Sequence, residues 1–150
     1  MCALTTRPDE LRFAVDRSLG RLARWLRRLG FDTVLRPEFD RHRLETLAAR
    51  EGRVLLTRTP ARQRTPERAR TLVLEASGFR EQLREIDAAH PLGGWEARAR
   101  RCLSCNVVLE PRGDGTWRCL RCRRTLTAGG HDLRMEKLLG GLSLRRPDGV

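Results

Sequence analysis

The sequence predicts an α/β fold: a parallel sheet flanked by helices, followed by a small cysteine-bearing module. Three observations predict it. Between residues 11 and 89, strand-like apolar runs alternate four times with stretches of helical periodicity, the order that a parallel sheet covered by helices requires. The segment "HPLGGWEAR" (90–98) then brings the Pro and Gly of a linker. Beyond it, four of the five cysteines fall within 21 residues, and only Cys2 stands apart.

Each element has a local reason. Residues 1–10 form a polar leader, and "LRFAV" (11–15) is a first strand. Leu19, Leu22, Ala23, Leu26 and Leu29 recur at helical spacing, with Gly30 at the left-handed position past the end. "FDTVL" (31–35) is a second strand. Asp40 suits the cap of a helix over 41–51, with Leu44, Leu47 and Ala48 inward and Gly52 as its stop. "RVLLT" (53–57) is a third strand, and "TPERAR" (65–70) a short helix opened by Pro66. "TLVLE" (71–75) is a fourth strand, followed by a helix over 78–89. The predicted division is 11–92 for the α/β unit and 98–139 for the cysteine module with a terminal helix, leaving 1–10 and 140–150 as loose tails.

The 150-residue chain carries a formal charge of +12, and Lys137 is the single lysine among its 31 cationic residues. Codon bias explains arginine over lysine but not the excess of cations over anions. That excess suggests a polyanionic partner, most often nucleic acid. Apolar runs such as "VLL" are too short to span a membrane. The first residues lack a signal-peptide core. The expected location is therefore the cytoplasm, where thiols stay reduced and clustered cysteines point to metal.

Cys102, Cys105, Cys119 and Cys122 form two C-x-x-C pairs separated by thirteen residues. Each pair can wrap one side of a tetrahedral zinc ion. "VVLE" and "TW", turned by "PRGDG", predict a hairpin between them. A closed four-cysteine site leaves no coordination position for catalysis, so this zinc is structural. Arginines 100, 101, 112, 118, 121, 123 and 124 surround Trp117, which reads best as packing on the module's own small core.

Ligands of parallel sheets bind beyond the C-terminal strand ends, where Asp16, Thr57 to Thr59 and Glu75 to Ser77 fall. Taken alone, Asp16 and Asp40 read as helix caps. In a strand-end crevice, carboxylates can also hold Mg²⁺ or Mn²⁺, which activates water against a phosphodiester. Arg17, Arg21, Arg24 and Arg28 recur four, three and four apart and form one stripe on the first helix. The stripe reads equally as a solvated face or as a track for a nucleic-acid backbone.

"FAVDRSLGRLARWLRRLGFDT", "GRVLLTR", "EQLRE", "RCLSCN" and "GGHDLRM", in that order over about residues 12–139, resemble the Mut7-C ribonuclease family. That family joins a PIN-like domain to a zinc ribbon and is proposed to cleave RNA with a divalent metal on acidic residues. The resemblance makes Asp16 the first of these acids. Asp40 matches an acidic position at the start of the second helix, and Arg58 belongs to a T-R-D motif. The sequence departs at Thr59, which replaces that motif's aspartate. Ser77 stands where a fourth acid is expected, with Glu75 and Glu67 upstream. The segment between the cysteine pairs is short, and Leu126 and Thr127 replace an aromatic pair, while Gly129 and His131 remain.

The resulting expectation is a metal-dependent ribonuclease acting in RNA processing or degradation, weakened by Thr59. Asp16 and Asp40 would be catalytic and hold Mg²⁺ or Mn²⁺. Thr57, Arg58 and Thr59 would contact phosphate or metal-bound water, and Arg17, Arg21, Arg24 and Arg28 would bind the RNA. A non-catalytic RNA-binding protein with a degenerate PIN-like domain is the alternative. A protein–protein adaptor is a third reading, which would need an exposed apolar patch.

Overall fold

The structure, a computed structural model, describes residues 11–60, 70–94, 98–127 and 137–145. Strands β1 (Phe13–Val15), β2 (Thr33–Leu35), β3 (Val54–Thr57) and β4 (Thr71–Val73) form one sheet in the order β2-β1-β3-β4. All three pairings are parallel. Helices α1 (Gly20–Arg28), α2 (Arg41–Glu51) and α3 (Phe79–Ala89) flank it. The expected α/β architecture is the one observed.

The central strands β1 and β3 are buried on both faces, which is why they read as unbroken apolar runs. Side-chain alternation divides the core. Phe13, Val15, Val54 and Leu56 face α1 and α3, meeting Leu22, Leu26, Leu83 and Ile86. Ala14 and Leu55 point the other way, onto Leu44 and Ala48 of α2. The chain thus steps from β1 to β2 over one face and from β2 to β3 over the other. Parallel crossovers are right-handed, so this reversal places the topological switch point between β1 and β3, where parallel sheets open a ligand crevice.

Caps set the helix ends. Asp16 Oδ1 accepts from Ser18 N at 3.0 Å and opens a 3₁₀ turn, Arg17–Leu19, that runs into α1. Asp40 Oδ1 accepts from Arg43 N at 2.8 Å and caps α2, which ends at Gly52 with φ of 64°. Gly30 ends α1 with φ of 88°, and a Cβ there would lie 2.6 Å from Arg98 Cβ and 2.8 Å from Ala99 O. That glycine is required both by its backbone and by the close approach of the chain entering the cysteine module.

The module folds as a ribbon of β5 (Glu110–Pro111), β6 (Thr116–Arg118) and β7 (Thr125–Thr127), antiparallel in that order. The hairpin was expected, but β7 was not, because its exposed "TLT" has one inward residue and no turn signal. Residues 140–145, expected within a loose tail, pack on the α/β core. Leu139 and Leu142 are buried beside Ile86 and Leu92. Arg145 N donates to Asp87 Oδ1 at 2.9 Å, and Gly93 N to Arg145 O at 2.7 Å. Leucines spaced around two glycines gave no periodic signal. The short helix expected at 65–70, together with Glu67, Gly129 and His131, lies outside the described residues apart from Arg70.

The ribbon is hydrogen-bonded to edge strand β2. Thr33 N donates to Asn106 Oδ1 at 2.9 Å, and Asn106 Nδ2 to Asp32 Oδ1 at 2.7 Å. Buried Arg27 donates through Nε to Thr33 O at 2.9 Å and through Nη1 to Leu103 O at 2.5 Å. Asp32 also pairs with buried Arg53 at 2.8 Å. Burial would raise the Asp32 carboxyl, but hydrogen bonds from Arg53 and Asn106 outweigh it and hold the group below its ordinary value. Its stabilisation is thus present above the unfolded carboxylate range, about pH 4, and is lost as pH falls through the lower folded value. Asp32→Ala should cost about 3 kcal/mol at neutral pH, at the low end for a broken buried pair because Glu51 still holds Arg53. Urea midpoints against pH check this: the variant's deficit should shrink on acidification.

Candidate functional site

Asp16 and Thr57 meet at the switch point. Asp16 N donates to Leu56 O at 3.0 Å, which seats the half-buried aspartate just beyond β1, beside the end of β3. Thr57 is fully buried. Its hydroxyl accepts from Thr59 N at 3.1 Å and from Arg41 Nη1 at 3.0 Å. Those donors occupy both lone pairs, so the hydroxyl proton is directed to Asp16 Oδ2, 3.5 Å away. Asp16 therefore uses one oxygen as a cap and turns the other into the crevice. The cap and ligand readings of this residue are compatible.

Arg41 was not anticipated. Besides Thr57, its Nη1 reaches Thr59 O at 3.1 Å, and its Nε pairs with Glu45 at 2.6 Å. Its Nη2 is buried without a hydrogen-bond partner among the described residues. The i,i+4 spacing of Arg41 and Glu45 was the available sequence signal; the contact with Thr57 depends on the sheet. Asp40 is exposed at the start of α2, and Arg58 and Thr59 are exposed past β3. Glu75 is exposed, and its N–H, with that of Ala76, is held by the Glu85 carboxylate at 2.9 and 2.7 Å.

Among the described residues, no three carboxylates gather closely enough to share an ion. Two carboxylates, Asp16 and Asp40, stand past the ends of β1 and β2, and one or two carboxylates with a substrate phosphate are what a hydrated Mg²⁺ or Mn²⁺ takes. Asp16 Oδ2 is the oriented oxygen, and Asp40 stands beside Arg41 at the next element.

The four cysteines do gather. Their sulfurs lie within 4.8 Å of one another, and those of Cys102 and Cys122 are 3.8 Å apart. Tetrahedral zinc with bonds of about 2.3 Å requires sulfur separations of about 3.8 Å. In both C-x-x-C turns, the second cysteine N–H points at the first sulfur at 3.4 Å. The residue after each pair, Asn106 or Arg123, has φ of 66°. Burial and the neighbouring sulfurs push the Cys105 thiol up to about 12. Burial also acts to raise Cys119, but the N–H groups of Cys122 and Arg121 bring it down to about 7. A cation is what lets four such sulfurs ionise together. The cluster could hold a structural zinc ion.

Arg17, which falls in the 3₁₀ turn before α1, and Arg21 and Arg24 on α1 are exposed, and Arg28 is half-exposed. Trp25 stacks on Phe79 with centroids 4.9 Å apart; Arg21 lies 4.9 Å over Phe79 and Arg28 5.7 Å over Trp25. Trp117 packs into the ribbon core, as expected, with Arg100 4.0 Å above its ring. No helix among the described residues is long and apolar enough to cross a membrane.

No curated protein and no solved structure matches the chain. A family model described as the Mut7-C RNAse domain matches residues 11–139. That span holds the crevice at Asp16, the cationic helix and the four-cysteine cluster, and the chain belongs to the Mut7-C RNAse domain family.

Proposed function

We propose that the protein is a metal-dependent ribonuclease that cuts RNA at the end of β1, with a low rate set by Thr59. The observation that carries this reading is the place of Asp16, past the end of β1 at the switch point, with its Oδ2 3.5 Å from the buried Thr57 hydroxyl. Asp16 and Asp40 would hold Mg²⁺ or Mn²⁺, and the ion supplies activation of water and charge neutralisation on the phosphodiester. Thr57 keeps the Asp16 carboxylate in one orientation. Arg41, its guanidinium plane fixed by Glu45 and Thr57, brings positive charge to the phosphate. Exposed Arg58 adds donors around the same phosphate, and the arginines of the first helical segment hold the flanking strand. A labelled single-stranded RNA should be cut slowly, and faster with Mn²⁺, which accepts more varied ligand sets.

A second reading has its own support. Arg41 brings a cation to the crevice, and Thr59 supplies no charge there. Both features favour RNA binding without hydrolysis. RNA left intact with either ion would establish that reading over the first.

Both readings require salt-sensitive RNA binding. If Arg17, Arg21, Arg24 and Arg28 each neutralise one phosphate, the log–log salt slope is about −2.8, so affinity falls about 50-fold between 50 and 200 mM salt. Changing all four to glutamine should flatten the series. A flat wild-type series in filter binding would reject the proposed track.

A further inference from the structure

A second cleft lies between α1 and the ribbon. It has a volume of about 140 Å³ and is lined by Leu103, Leu109, Leu126, Arg24, Arg124 and Ser104, beside Cys102 and Cys119 of the four-cysteine cluster. We propose that this cleft holds one nucleotide of single-stranded RNA, its base on the leucine floor and its phosphate between Arg24 and Arg124. The inference rests on the RNA reading above and adds a site away from the crevice.

Three observations support it. The lining contains three arginines, Arg24, Arg101 and Arg124, and no carboxylate; the two cysteines in it are ones a zinc ion would hold, and the arginines suit a phosphate. Leucine side chains suit the face of a base through burial of apolar area, which does not distinguish the four bases. Arg124 Nη1 reaches Ser104 Oγ at 3.4 Å, so the guanidinium already lies across the edge. The cleft also continues the helix stripe, because Arg24 belongs to both. Arg24 stands eight positions after Asp16, through the 3₁₀ turn and the first turn of α1, about 12 Å at the helical rise, so a strand lying along α1 from the crevice arrives at the cleft. Arg101, which also lines the cleft, is committed to Gly30 O and Asn106 O at 3.2 and 2.8 Å. It holds the ribbon against the end of α1 and keeps the cleft open.

The test measures binding of fluorescent RNA oligomers, from two to eight nucleotides long, to zinc-replete protein carrying Asp16→Asn. Cleavage then plays no part in the result, and this proposal can fail while the nuclease reading stands, or the reverse. Affinity should step upward once the strand is long enough to reach from the crevice to the cleft. Arg124→Ala and Ser104→Trp, one removing the phosphate contact and the other filling the cleft, should each erase that step. The expected loss for Arg124→Ala is about 10- to 150-fold, the range for a hydrogen bond to a charged group, with dinucleotide binding unchanged. Zinc content and melting temperature identify a misfolded variant, and the other variant then decides. Long oligomers bound equally by wild type and by both folded variants would overturn the proposal. So would uridine monophosphate binding the cleft as tightly as the long strand.

Discussion

Stripping the metal from the four-cysteine cluster is expected to unfold the ribbon and also to lower the melting temperature of the parallel sheet by about 12–24 °C. The ribbon loss follows from size, since so small a core depends on its ion, and structural zinc contributes on the order of 10 kcal/mol to such folds. The loss in the sheet follows from the hydrogen bonds at β2. Arg27 is 7 % exposed and donates to Leu103 O inside the first cysteine turn, while Asn106 donates to Asp32. Bonds to charged groups contribute about 1.5–3 kcal/mol each, so losing these two removes at least about 3 kcal/mol. For a domain of this size each kcal/mol corresponds to about 4–8 °C. Were the sheet and the ribbon independent units, the sheet would instead melt unchanged after metal removal. Calorimetry with and without a zinc chelator separates the two. Asn106→Ala, which keeps all four ligands, should reproduce part of the shift without releasing zinc. An unaltered sheet transition in the zinc-free protein would show that the interface carries no stability.

The same network explains what the sequence made legible. β1 and β3 were readable because burial on both faces leaves no polar position. α1 and α2 were readable because their caps and terminal glycines are local features. The resemblance rests on Gly30, Asp32, Arg53 and Asn106 among others, yet no composition or periodicity assigns them a task. The structure gives them one, as the joint between sheet and ribbon. Arg27 was hidden because it is one more arginine beside the stripe, and only the helix phase turns it inward. Arg41 was hidden because its partner Thr57 lies sixteen residues away and is brought near by sheet pairing. The carboxylates at Asp16 and Asp40 were located correctly on their elements, but capping alone accounts for the hydrogen bonds of Asp40.

That difference between the two aspartates sets the expected results at the crevice. Asp16→Asn should reduce RNA cleavage at least about 100-fold, because the amide keeps the cap at Ser18 N while losing the charge that holds a divalent ion. The melting temperature should barely move, since asparagine caps as well as aspartate does. Asp40→Asn should likewise leave α2 intact, and its effect on cleavage reports how much of the ion it holds. Thr59→Asp adds a carboxylate beside Arg41, whose Nη1 already reaches Thr59 O at 3.1 Å. If the crevice lacks anionic charge, this substitution should raise the rate and improve the use of Mg²⁺. Its gain should be larger in Arg41→Gln, where no guanidinium competes for the new charge. One time course on a labelled RNA, with each ion and each variant, reads all of these outcomes. Cleavage that persists in Asp16→Asn would sink the metal-pocket mechanism, because no other carboxylate among the described residues is oriented into the switch point by a buried hydroxyl.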